Sequence, residues 1–138
     1  MKILIDTNVI LDAIIKREPF DVSAGQIFIM AAGEKFNATI TANSITDIFY
    51  IVSKSYGNKE KAKELLRGLF ETFDICSISY EDLNNALEME MRDFEDALIV
   101  ACAKRLKCDY IITRNIKDFE NSTVPTILPD DFLRDYIS

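Results

Sequence analysis

Short, unbroken apolar runs set the tightest limit on what this chain can become. Ile3-Leu4-Ile5 and Tyr110-Ile111-Ile112 show no polar alternation, and longer helical patterns lie between such runs. Side chains alternate across a sheet, so a strand that is apolar at successive positions buries both of its faces. Strands of that kind, separated by helices, imply a parallel sheet held between two helical layers. The expected fold class is α/β, a three-layer α/β/α sandwich around a central, mainly parallel sheet. A length of 138 residues with 49% hydrophobic content suits one domain spanning 1–138.

The pattern predicts strands at 2–5, 38–41, 74–77, 109–113 and 126–128. Helices are expected at 8–16, 22–35, 43–56, from 58 to about 73, 80–88, 93–107 and from Pro129 or Asp130 onward. In the fourth helix Ala62, Leu65, Leu66, Leu69, Phe70 and Phe73 form a stripe of period 3.6. Ser79-x-x-Asp82 resembles a capping box. The run Ala97–Ala103 is apolar nearly all round, so its helix must be almost wholly buried. Arg114 to Ser122 reads as a polar loop.

What the chain lacks narrows its chemistry. It has no histidine, which excludes Ser-His-Asp and Cys-His catalysis and any metal site built on imidazole. Three cysteines without a CxxC pair indicate neither a disulfide framework nor a zinc site, and Cys76 and Cys102 lie in apolar runs that suit the core. A net charge of −7 argues against nonspecific nucleic-acid binding through a basic surface. It leaves open a nucleic-acid enzyme, because carboxylates gathered around divalent cations are neutralised. No apolar stretch approaches the roughly 20 residues of a membrane span, and the start lacks the pattern of a secretory signal. A cytoplasmic protein with no membrane partner is the expectation.

Carboxylates gather where the fold class predicts a crevice. In open parallel sheets that crevice lies beyond the carboxyl ends of the strands. Asp6 ends the first strand, Asn115 and Asp118 follow the strand ending at Thr113, and Asp47 lies early in the helix after the second strand. Asp93 and Asp96, three apart in the first turn of the buried helix, return to the same edge. Two unit charges about 4 Å apart repel by roughly 4 kcal/mol at an effective dielectric of 20, so such a cluster needs protonation or a bridging cation. Oxygen-only ligands suit Mg²⁺ or Mn²⁺. Each acid has a simpler alternative: Asp6 and Asp93 as helix caps, Asp96 as a partner of the helix dipole, Asp47 as a solvated face residue and Asp118 as a turn residue.

The chain resembles the PIN-domain ribonucleases, the family that includes VapC-type toxins. The resemblance rests on Ile5-Asp6-Thr7-Asn8, Ser44-Ile45-Thr46-Asp47, Asp93-Phe94-Glu95-Asp96-Ala97 and Thr113-Arg114-Asn115-Ile116-Lys117-Asp118-Phe119. It implies metal-dependent hydrolysis of single-stranded RNA with Mg²⁺ or Mn²⁺ as cofactor. Asp6, Asp47, Asp96 and Asp118 would then be catalytic, with Asp6, Asp96 and Asp118 holding metal. Asn8, Ser44, Asp93, Thr113 and Asn115 would support them. Arg114 and Lys117 would meet RNA phosphates, and Lys59, Lys61, Lys63 and Arg67 either add a second contact or form a solvated helix face. Many relatives have glutamate in place of Asp47 and aspartate in place of Asn115, which implies a weaker second metal. An antitoxin protein and a second copy of the chain are the implied partners.

Other readings fit less well. An aspartyl-nucleophile phosphatase needs a second aspartate two residues after the first, where Asn8 stands. A phospho-receiver needs an aspartate ending a middle strand, whereas the candidates end in Thr41 and Ser77. The remaining alternative is a degenerate PIN domain that acts as a binding or scaffolding module.

Overall fold

A computed structural model describes residues 1–137. In chain order the elements are β1 (Lys2–Ile5), α1 (Thr7–Ile14), α2 (Asp21–Ala32), β2 (Asn37–Thr41), α3 (Ala42–Tyr56), α4 (Lys59–Thr72) and β3 (Asp74–Cys76). They continue with α5 (Tyr80–Leu87), α6 (Phe94–Arg105), β4 (Tyr110–Ile112), a 3-10 turn (Ile116–Phe119), β5 (Thr126–Ile127) and α7 (Pro129–Ile137). The five strands form one sheet in the order β3-β2-β1-β4-β5, and every pairing is parallel.

The apolar strand runs explain the layers. Ile3 and Ile5 of β1 pack into one core with Val9, Ile27, Ile40 and Ile48, while Leu4 faces the other with Ile99, Val100 and Ile111. Helices α1 to α4 and α7 therefore cover one face, and α6 covers the other with α5 beside it. Full burial of one such aliphatic side chain is worth roughly 1.5–3 kcal/mol, so both faces of β1 hold the sandwich together. Between α3 and α4 the chain turns at Gly57, whose φ of 64° is readily available to glycine. Asn58 then caps α4 by accepting from the amides of Glu60 and Lys61.

Several boundaries differ from the sequence expectation for identifiable reasons. The third strand stops at Cys76 because the Ser77 carbonyl accepts from Arg105 Nη2 at 2.8 Å instead of entering the ladder. The stretch expected as a polar loop after Thr113 contains the 3-10 turn, anchored by the buried Phe119. Phe70 belongs to the α4 stripe by period but is 50% exposed, since α4 packs along the line of Ala62, Leu66 and Leu69. The capping box at Ser79 and Asp82 forms as expected.

Candidate active site

Strand order reverses between β1 and β4, so the connections leaving their carboxyl ends diverge and leave a crevice. Asp6 stands at that point. Its amide donates to the Ile112 carbonyl at 2.9 Å and its carbonyl accepts from Val9 N at 3.0 Å, which fixes it between β1 and α1. Although it occupies the N-cap position of α1, its side chain makes no capping hydrogen bond within the helix. The carboxylate instead accepts from the Thr113 hydroxyl at 2.8 Å, and Thr113 Oγ1 accepts in turn from the Asn115 amide at 3.0 Å. Asp93 behaves oppositely: its Oδ1 accepts from Asp96 N at 3.1 Å and caps α6.

A cleft of about 280 Å³ opens at this edge, and Asp6, Asp47, Asp93, Glu95, Asp96 and Asp118 all line it. They arrive from the end of β1, from α3, from the start of α6 and from the 3-10 turn. Burial raises the Asp96 carboxyl to about 7, helped by the negative charges of Asp93, Asp6, Asp118 and Glu95. Burial likewise pushes Asp6 up, and the nearby Asp118 adds to it, while the Thr113 hydroxyl and Thr7 amide pull the other way. Glu95 is raised by burial and by Asp47, Asp93 and Asp6. Among the described residues none of these six acids forms an ion pair.

The other residues singled out in the sequence fall into two groups. Ser44, Thr7 and Thr41 share a chain of hydroxyls: Thr7 donates to Ser44 at 2.7 Å, and Ser44 and Thr41 lie 2.8 Å apart. This ties the start of α1 to the β2–α3 junction and steadies the cleft wall. Asn8 and Asn115 line the cleft, and Asn8 Oδ1 accepts from Arg17. Arg114 is the exception to the expected RNA contact. Its guanidinium grips the buried Asp12 at 2.8 and 3.3 Å and lies 4.3 Å over the Phe20 ring, so its charge is already paired within the fold, although it still pulls Asp6 down.

Sequence reading also passed over Glu95 and Asn43. Glu95 sits inside the Asp93–Asp96 motif, and its place in the first turn of α6 was the signal available for it. Asn43 gives no such signal, yet its Oδ1 is buried at the cleft wall with no hydrogen-bond partner. A buried amide oxygen without a donor is costly, and a ligand cation or its water is one way to satisfy it.

These donors suit a hard divalent ion. They are carboxylate and amide oxygens, the chain has no histidine, and its three buried thiols lie elsewhere. Among the described residues no three acidic or cysteine side chains form a ready-made cage for an ion. The donors are spread around the cleft wall, and ordered water is the usual complement of such open sites for Mg²⁺.

An acid-rimmed crevice at the switch point of a five-stranded parallel sheet defines an α/β protein with an oxygen-donor site at its carboxyl edge. Residues 2–117 match the PIN domain family, and the chain belongs to it. Ribonuclease VapC1 of Aquifex aeolicus (strain VF5) is 24% identical over 136 residues, covering 95% of this chain and 92% of that protein. A chain of VapBC2 from Rickettsia felis, solved bound to a DNA fragment from its promoter, superposes with a TM-score of 0.71 at 20% identity, over 93% of this chain and 98% of its own. A chain of a toxin-antitoxin complex from Klebsiella pneumoniae gives a TM-score of 0.66 at 25% identity, covering 91% and 96%. Among the described residues no helix is long and apolar enough to cross a membrane.

Proposed function

We propose that this protein is a divalent-metal-dependent endoribonuclease that hydrolyses phosphodiester bonds of single-stranded RNA, acting as the toxin of a toxin-antitoxin pair. The observation that carries the reading is a cleft where acids from four separate segments meet and, among the described residues, none of them forms an ion pair. Its kinship with Ribonuclease VapC1 points to the same chemistry.

In this reading Asp6, Asp96 and Asp118 hold Mg²⁺ or Mn²⁺, which when bound supplies Lewis acidity toward the phosphoryl oxygens and toward water. Asp47, across the cleft, orients the attacking water or supports the ion. Thr113 holds the Asp6 carboxylate through its hydroxyl, Asp93 fixes the start of α6 and hence Asp96, and Ser44 holds the wall. Asn8 and Asn115 offer neutral amides where further charge would add repulsion. Lys117 meets RNA phosphates, and Arg114 serves structure. An antitoxin would cover the acidic cleft, in keeping with the toxin-antitoxin complex from Klebsiella pneumoniae. Exposed Val22, Ile29 and Tyr50 give apolar surface for it or for a second copy of the chain.

The test is cleavage of end-labelled single-stranded RNA with Mg²⁺ or Mn²⁺. Cleavage that disappears with chelator and in Asp96→Asn supports the reading. Activity that survives the substitution points to a contaminant. No cleavage by the wild type, with Mn²⁺ bound or unbound in calorimetry, favours the non-catalytic module that Asn115 suggests.

A further inference from the structure

Beside the acidic cleft lies a second lobe of about 450 Å³, and the two share Asp93, Asp96 and Asp118 as a common wall. That volume lies within the roughly 300–1,000 Å³ typical of small-ligand sites. The outer lobe differs in charge. Its lining includes Arg92 and Lys117, the two basic side chains that border either lobe, and neither forms an ion pair among the described residues. By contrast Arg17, Arg105 and Arg114 are bound to Asp12 or Asp82. The outer lobe is also braced: Asn121 Nδ2 donates to the Glu90 carbonyl at 2.6 Å, and Met91 packs against the core beneath α6.

Resting on the function proposed above, we infer that this outer lobe is a nucleotide subsite of the ribonuclease. Arg92 and Lys117 take the phosphate next to the scissile one, and the adjoining nucleoside lies against Met91 and Asn121. The scissile phosphate sits at the shared wall, where the carboxylates are. A strand passing from that wall into the outer lobe carries its next phosphate to the two unpaired cations, which is the local attraction a chain of net charge −7 needs in order to hold RNA. Glu90 and Glu120 also line this lobe and weaken that attraction, so it depends on both Arg92 and Lys117.

The experiment compares wild type with Arg92→Gln/Lys117→Gln, using an oligoribonucleotide and a dinucleotide as substrates. For the oligomer, kcat/KM should fall about tenfold through KM. The slope of log kcat/KM against log salt should drop by about 0.7, the value for one neutralised phosphate on a single strand. For a dinucleotide that ends at the shared wall, and so lacks the next phosphate, the fall should be clearly smaller than for the oligomer. Lys35→Gln, just before β2 at the opposite edge of the sheet, should leave both parameters at wild-type values, and thermal melting checks that every variant is folded. An unchanged KM and salt slope with active wild-type protein would overturn the subsite alone. Failure of the wild type to cleave RNA would instead retire the underlying function.

Discussion

Asp82 and Asp6 are both buried aspartates, 1% and 5% exposed, yet the molecule treats them in opposite ways. Asp82 caps α5 and receives two guanidinium hydrogen bonds from Arg105, at 2.9 and 3.0 Å. Those bonds hold its carboxyl below the usual range despite burial. Asp6 has a hydroxyl for a partner and other acids for neighbours, so burial and Asp118 push it up. Asp12 follows Asp82, clamped by Arg114 and Arg17. The difference separates a carboxylate whose charge is met by a guanidinium from one that has only hydroxyl and amide partners against burial and neighbouring acids. Three arginines are paired with Asp12 and Asp82, and among the described residues none forms an ion pair with an acid that lines the cleft.

The sharpest way to break the comparison is to neutralise each acid in turn. Asp6→Asn should lower Mn²⁺-dependent RNA cleavage by more than about 100-fold, beyond the range for groups that only orient a ligand, while leaving the metal-free protein folded. Asp82→Asn should keep most of the activity and lose stability instead. Arg105→Met should cost about 2–3 kcal/mol in urea unfolding, because Asp82 is left buried with only its capping partners and Arg105's outer edge already meets solvent. If Asp82→Asn removed activity as completely as Asp6→Asn, the division between the two acids would be lost.

A smaller effect isolates the one bond that steadies Asp6. Thr113→Val conserves shape in a fully buried position but removes the hydroxyl that donates to Asp6. Metal affinity, read by calorimetry, should weaken about tenfold, the lower end of the usual range for groups that orient a ligand.

How much of this was legible in the sequence follows from how local each cause is. The capping box at Ser79, the cap at Asp93 and the buried run of α6 depend on neighbours a turn apart, so spacing reveals them. The meeting of Asp6 with Asp96 and Asp118 was readable because parallel sheets gather their loops at one edge. The partners of Arg114 were not. Asp12 reads as one of three polar positions on a helix face, and only the packed fold shows Arg17 and Arg114 converging on it from distant segments. The Thr7, Ser44 and Thr41 hydroxyls meet for the same non-local reason. Phe70 errs in the other direction: its period is right, but nothing in the sequence says how wide a face α4 buries.

The smallest effect contrasts the two kinds of acid through stability alone. Asp96 holds its proton up to about pH 7 in the metal-free fold, against a reference of 3.8. A carboxyl with a raised native pKa favours folding below its unfolded value, and that contribution fades as pH rises through 7. Asp82, whose native pKa is lowered, contributes above its unfolded value and loses that contribution in stronger acid. Metal-free protein should therefore melt a few degrees higher near pH 5 than at pH 8, then weaken again in stronger acid. Mn²⁺ at pH 8 should recover the difference by binding the native state. Asp96→Asn should make the neutral limb shallower, with Asp6 and Glu95 carrying what is left of it, and should leave intact the acid limb to which Asp82 contributes. A melting curve indifferent to pH between 5 and 8, in wild type and variant alike, would mean that the cleft acids are not crowded as their burial and mutual charges require.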